Sequence, residues 1–200
     1  MSTDQRQRIF ELAKTSIDKA VDLARQVDDP WFRCQSLAMA AWHIKPKPRF
    51  LQIVNESLRA GRALSSPNRI VSASAWPVNA MARRGDILIA GAVEELLHIL
   101  EKEPNPVRRA DALFLLLSAA YPVSGVRSHI LGALLSACAE MKSWKAPRTL
   151  KFTAMVLAGD DLEAAYRVAE LIEDAAIKRQ TYKAIHNNQW LGPYDSSRVS

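Results

Sequence analysis

The sequence predicts an all-α protein, a right-handed α-α superhelix (solenoid) of about five antiparallel helical hairpins, and three observations carry that expectation. Apolar residues recur at spacings of three and four through most of the chain, as they do on amphipathic helices. A proline-marked turn recurs at Asp29-Pro30, Ser66-Pro67, Asn105-Pro106 and Ala146-Pro147, the prolines lying 37, 39 and 41 residues apart. Each turn is followed within a few residues by arginine or lysine and then by an alanine-rich apolar run. A period near 40 with two helices per unit is how stacked helical hairpins read in sequence.

Taken in order, the first helix is expected over 4–27, where Ile9, Ala13, Ile17, Ala20, Val21, Ala24 and Val27 form one stripe. Asp29 then caps a helix over 30–44, with Pro30 at the first helical position, where its missing N–H is not needed. The second pair covers 47–64 and 67–84. Pro77 falls inside the latter and costs about 3 kcal/mol unless the helix kinks or breaks there. The third pair covers 86–102 and 106–121. Ile87–Ala90 also reads as a short strand, but it has no pairing partner and runs into a helical stretch. The last pairs cover 126–142 with 147–159, and 161–173 with 175–190, where Asp174 is the cap in place of a proline turn. Residues 1–191 are expected to form a single domain, with 192–200 a flexible tail.

Composition agrees with that outline. The chain has 200 residues, 48% of them hydrophobic and 24% charged, with only 7 glycines, which excludes disordered and collagen-like classes. Cys34 and Cys138 both sit in apolar helical stretches, so a reducing compartment is expected rather than a disulfide framework. The opening segment MSTDQRQRIFELAK has no apolar core of a secretory signal. The apolar stretch from Ala112 to Val123 is too short to span a bilayer and is interrupted by Ser118 and Pro122. A soluble, cytoplasmic protein without membrane contact is expected.

At the level of this pattern, over about residues 4–190, the chain resembles the HEAT-like and tetratricopeptide-like helical-repeat superfamilies. The tetratricopeptide signature of Trp, Leu-Gly, Tyr and Pro at fixed offsets is absent, and the spacing exceeds that family's repeat of about 34 residues. The resemblance is therefore nearer to HEAT repeats.

Motifs of catalysis are missing. There is no phosphate-cradling glycine loop, no G-x-S-x-G elbow and no C-x-x-C. His43, His98, His129 and His186 fall in different hairpins without an i,i+4 partner of metal-ligand type. No catalytic residue, metal ligand or cofactor is assigned, and a non-enzymatic protein is expected.

Charge is the informative feature. The net charge of +6 divides by helix type. The five second helices carry eleven basic residues against one acid, Asp111, a formal +10, which leaves −4 for the rest. A basic row of Arg33, Arg69, Arg108, Arg109, Arg148, Lys151, Lys178 and Arg179 is the candidate binding surface. Trp31, Trp42 and Trp76 are its candidate aromatic anchors. The bland account is that the arginines pair with acids of neighbouring turns and the tryptophans fill gaps between repeats.

In HEAT-like solenoids the second helices line the concave face, so that resemblance implies a basic groove. In tetratricopeptide-like ones the first helices do, which moves the row to the back. The leading expectation is an interaction module holding an acidic peptide or protein segment. The first alternative is nucleic-acid binding. Its extreme is an enzyme resembling the HEAT-like DNA glycosylases, which use tryptophans and an aspartate on the concave face. Asp111 has Val107 one turn before it rather than a tryptophan, so no catalytic residue carries over. The second alternative is self-assembly as a homo-oligomer.

Overall fold

The computed structural model describes residues 3–187 and residue 189, with side chains from residue 7 onward. The predicted tail 192–200 and Trp190 lie outside the described residues. Eleven α-helices and no strand are present among them. In chain order they are α1 (Thr3–Thr15), α2 (Ile17–Arg25), α3 (Pro30–Ala41), α4 (Lys47–Arg62), α5 (Pro67–Arg83), α6 (Ile89–Leu100), α7 (Pro106–Ala120), α8 (Ser124–Glu140), α9 (Lys145–Leu157), α10 (Leu162–Glu170) and α11 (Ala175–His186).

The expected helix over 4–27 is two helices, broken at Ser16, whose backbone leaves the helical region at φ −148°, ψ 83°. Thr15 and Ser16 stand together at the break, and such side chains compete with the helix for its own backbone groups. Residues 87–90 are not a strand: Ile87 and Leu88 belong to the turn after α5, and α6 starts at Ile89.

The turn residues act much as expected. The Asp29 Oδ1 accepts from the amides of Trp31 (2.8 Å) and Phe32 (3.2 Å), and Asn105 does the same for Val107 (2.9 Å) and Arg108 (3.2 Å). Asp174 accepts from Ala176 and Ile177, both at 2.9 Å. Each cap satisfies amides that the first helical turn leaves without an internal partner. Ala146-Pro147 departs from the rule, since α9 begins at Lys145 and its proline lies inside the first turn. The α5 terminus is a Schellman motif. Gly85 takes φ 60°, its amide reaches the Ala82 carbonyl, and the Asp86 amide reaches Met81, both at 3.1 Å.

The chain divides into two compact units, one ending at Glu103 and the other starting at Pro104. In the first unit, α3 packs against α1, α2, α4 and α5, and α5 packs against α3, α4 and α6. Both are enclosed: Cys34–Ala41 and Val71–Ala82 are buried without interruption. These runs are rich in Ala and Ser, and α3 accordingly shows little apolar stripe; a helix covered all round has no solvent face to mark.

Pro77 neither ends nor interrupts α5 in this setting. Proline cannot donate to the carbonyl four residues back, here that of Ala73. The Cys34 Sγ of α3 donates to that carbonyl at 3.3 Å. In the second unit, α7 packs on α8 and α9, while α9 also packs on α8, α10 and α11. Arg127, nearly buried, donates to the Asp160 carboxylate at 2.7 and 2.8 Å, and the Tyr121 hydroxyl donates to it at 2.7 Å. This network ties α8 and the end of α7 to the turn before α10.

Candidate functional site

The structure separates the basic row into two groups. In the first group the charge is occupied locally. Arg33 donates through Nε to the Val27 carbonyl (2.6 Å) and through a terminal nitrogen to the Asp28 carbonyl (2.9 Å), closing the end of the preceding helix. Arg84 plays the same part between hairpins, reaching the carbonyls of Ile44 (2.6 Å) and Lys45 (2.8 Å). Arg109 forms an ion pair with Glu140. Lys178 pairs with Glu170 at 3.2 Å, and Lys151 donates to the Gln180 side chain at 3.2 Å.

Arg69, Arg108, Arg148 and Arg179 form the second group. All four are exposed, and among the described residues none of them has an acidic partner. Arg69 lies over the Trp31 ring, 5.7 Å from its centroid. Arg108 contributes its amide to the Asn105 cap while its side chain is exposed.

The tryptophans separate likewise. Trp76 is 2% exposed and stacks on Trp42 with centroids 6.0 Å apart and planes 19° from parallel. Its ring therefore faces the interior, not a partner. Trp31 and Trp42 are half-buried. The Gln35 amide lies 3.0 Å from the indole nitrogens of both Trp31 and Trp76, so its oxygen is the atom turned toward them, accepting from each. Trp31 and Trp76 are thus mainly structural, burying large apolar surface with a satisfied N–H, while Trp42 is held by its stacking on Trp76 and by the Arg83 guanidinium 4.7 Å from its ring centroid.

A different tryptophan is exposed. Trp144, at the N-terminus of α9, is 66% exposed. It heads a ladder at i, i+4 and i+8, where the helix repeat sets side chains on one face. The guanidinium of Arg148 lies over both of its neighbours, 5.9 Å from the Trp144 centroid and 5.4 Å from that of Phe152. Across from this ladder, α7 presents Asp111 and Phe114, the Phe114 ring lying 6.4 Å from that of Phe152. Together with Lys145 they line a cavity of about 360 Å³. Arg108 precedes Asp111 by three residues and so shares its helix face. Aromatic walls, two cations and a single carboxylate thus meet in one concavity.

The sequence reading had Arg108, Arg148 and Asp111 in hand but not Trp144, Phe114 or Phe152 as a set. The signal for half of it was present, since Trp144, Arg148 and Phe152 are spaced by four. The other half was not, because Asp111 and Trp144 belong to different second helices. A tryptophan does accompany Asp111, but from α9 rather than from one turn earlier on α7.

A second cavity, about 540 Å³, is lined by Leu135, Cys138, Met141, Leu150, Leu171 and the acids Glu173 and Asp174. The Asp174 carboxylate already caps α11. Burial, helped by the charge of Asp111, pushes the Cys138 thiol up to about 11, and burial pushes Cys34 up to about 12. Both thiols are held neutral, which suits core packing rather than nucleophilic chemistry.

Among the described residues no group of three His, Cys, Asp or Glu side chains is arranged to hold a metal ion, and no helix is long and apolar enough to cross a membrane. Comparison with family models, with curated proteins and with solved structures finds no match to this chain.

Proposed function

We propose that the chain is a non-enzymatic helical-repeat interaction module that holds an acidic peptide or protein segment on its basic second helices. The seat is the groove between α7 and α9. The observation that carries this reading is Trp144, two-thirds exposed with the Arg148 guanidinium over its ring and no acid paired to that arginine among the described residues. Exposed tryptophan beside arginine is the composition of binding hot spots, and an arginine over aromatic rings with no acid paired to it has N–H donors available for a carboxylate. The hairpin-repeat reading is supported by adjacency: α3 neighbours α5, and α9 neighbours both α7 and α11.

The test is selection of displayed random 12-residue peptides on the intact protein at low salt. Recovered peptides are expected to be enriched in Asp and Glu. The double variant Arg108→Glu, Arg148→Glu is expected to lose them while keeping its helical circular dichroism. Recovery without acid enrichment rejects the reading.

Nucleic-acid binding is the second reading, favoured by the exposed face of Trp144, since bases stack on such rings beside cations. It requires binding of a single-stranded oligonucleotide that weakens linearly with log salt. No binding at low salt removes it.

A further inference from the structure

Three features of the α7–α9 groove go beyond a preference for negative charge. First, its walls are apolar. Phe114, Phe152 and Trp144 line an open cavity of about 360 Å³, within the size range of sites that take a compact organic group. Binding anions alone needs no such cavity; exposed arginines on a flat helix face would serve.

Second, cations stand beside the apolar walls, Lys145 and Arg148 in the lining itself. Lys145 is exposed at the first position of α9, Arg148 covers the rings, and Arg108 is exposed one turn before Asp111. Third, the one acid of the second helices, Asp111, lines the cavity, is exposed, and has no cationic partner among the described residues. A ligand carboxylate pushed into the groove would meet that charge. An N–H donor would be accepted by it, since an ionised carboxylate is acceptor-only.

We propose that the groove selects, among acidic segments, those that insert one large apolar or aromatic side chain between Trp144 and Phe114. The flanking carboxylates of that segment lie outside, on Arg148, Lys145 and Arg108. Asp111 is the specificity-determining residue: it accepts an N–H of the inserted residue, from backbone or indole, and repels a purely acidic stretch. Discrimination by a repulsive element beside attractive ones is a general route to specificity. This proposal rests on the acidic-segment reading above.

The test uses the peptides recovered from the displayed library, synthesised with a fluorescent label and titrated by anisotropy against the full chain. The expected recovered sequences carry Trp, Tyr, Phe or Leu next to at least two acidic residues. Trp144→Ala and Arg148→Glu each weaken such a peptide at least tenfold. A twelve-residue polyglutamate binds the wild-type chain at least tenfold more weakly than the recovered peptide, and Asp111→Asn narrows that ratio at least threefold. All three side chains are solvent-exposed, so the variants keep the fold, as circular dichroism will show.

Acid-rich peptides without an apolar anchor, or a ratio unmoved by Asp111→Asn, overturn the selectivity proposal and leave the acidic-segment reading standing. Peptides without acid enrichment overturn both. Tighter binding of a twelve-nucleotide oligothymidylate than of any recovered peptide overturns both in favour of nucleic acid.

Discussion

The thiol of Cys34 donates, at 3.3 Å, to the carbonyl of Ala73, the one carbonyl of α5 that Pro77 leaves without its helical amide. A side chain on α3 thus replaces a backbone donor missing from α5. The same residue is held from the other side, since the Ser57 Oγ donates to the Cys34 carbonyl at 2.7 Å. Cys34→Ala leaves a buried acceptor unpaired, which costs about 1–3 kcal/mol. In a Pro77→Ala background the new amide of residue 77 supplies the bond, so the same Cys34→Ala change costs less. A double-mutant cycle by urea denaturation is expected to show a coupling of about 1 kcal/mol; additive effects would remove the link.

Glycines in helices of this protein differ in what surrounds them. A Cβ at Gly61 on α4 would lie 2.7 Å from the Ser74 Oγ and 3.3 Å from the Cys34 Sγ, whereas one at Gly91 or Gly132 meets nothing within 4 Å. Gly91→Ala and Gly132→Ala are expected to stabilise the protein by about 0.5–1 kcal/mol each, the helix-propensity gain. Gly61→Ala is expected to destabilise by about 1–3 kcal/mol through overpacking. Adding Ser74→Ala removes the nearest atom and restores most of the loss. Thermal melts of the four variants decide the signs.

Stability is expected to fall with pH above about 9. Burial raises the Cys34 thiol from 9.0 to about 12 in the folded protein. A group with a raised folded-state value contributes stability that is whole below its unfolded value and is lost on the way up to the folded one. The Tyr121 hydroxyl, raised by burial and by its bond to the Asp160 carboxylate, adds to the same alkaline loss. Unfolding free energies measured from pH 8 to 11 will show a shallower decline for Cys34→Ala than for wild type.

The acid side works in reverse. Arg25 grips Glu56 through two bonds of 2.9 Å and holds its carboxyl below the ordinary range. That contribution is present above the unfolded value and disappears as pH falls through the folded one. Glu56→Gln is expected to cost under about 1 kcal/mol at pH 7, because the pair is partly exposed, and progressively less in unfolding measurements as the pH is lowered through the range where the folded carboxyl takes up its proton.

The basic residues are expected to divide by stability as they do by geometry. Arg33→Ala removes donors to two carbonyls and costs about 1–2 kcal/mol, since bonds from a charged donor are the stronger ones. Arg148→Ala and Arg179→Ala remove exposed side chains and stay within about 0.5 kcal/mol of wild type. Chemical denaturation of the three variants makes the comparison, and equal losses would erase the distinction between structural and available cations.

Much of the local structure was legible in the residues themselves. The caps at Asp29 and Asp174, the proline at the start of α3, α5 and α7, and the helices between them follow from short-range chemistry, in which a side chain and its own backbone decide the outcome. Ser16 was missed because a continuous apolar stripe from Ile9 to Val27 conceals a break that only local backbone competition reveals. The strand alternative at Ile87 dissolved for want of a neighbouring strand, as its lack of a partner already indicated.

By itself the sequence determined that this is a helical protein, where most of its helices begin, and that its positive charge is concentrated on every second helix. The tertiary structure decided which of those charges are available. Arg33 and Arg109 carry the same sequence signature as Arg148 and Arg179, yet the former lie against carbonyls or a carboxylate brought in from other turns and helices. It also decided that Trp76 belongs to the core and that Trp144 meets Asp111 across a groove. Helix periodicity orders side chains along one helix, whereas a pairing between helices depends on packing at residues far apart in the chain, which no local spacing encodes.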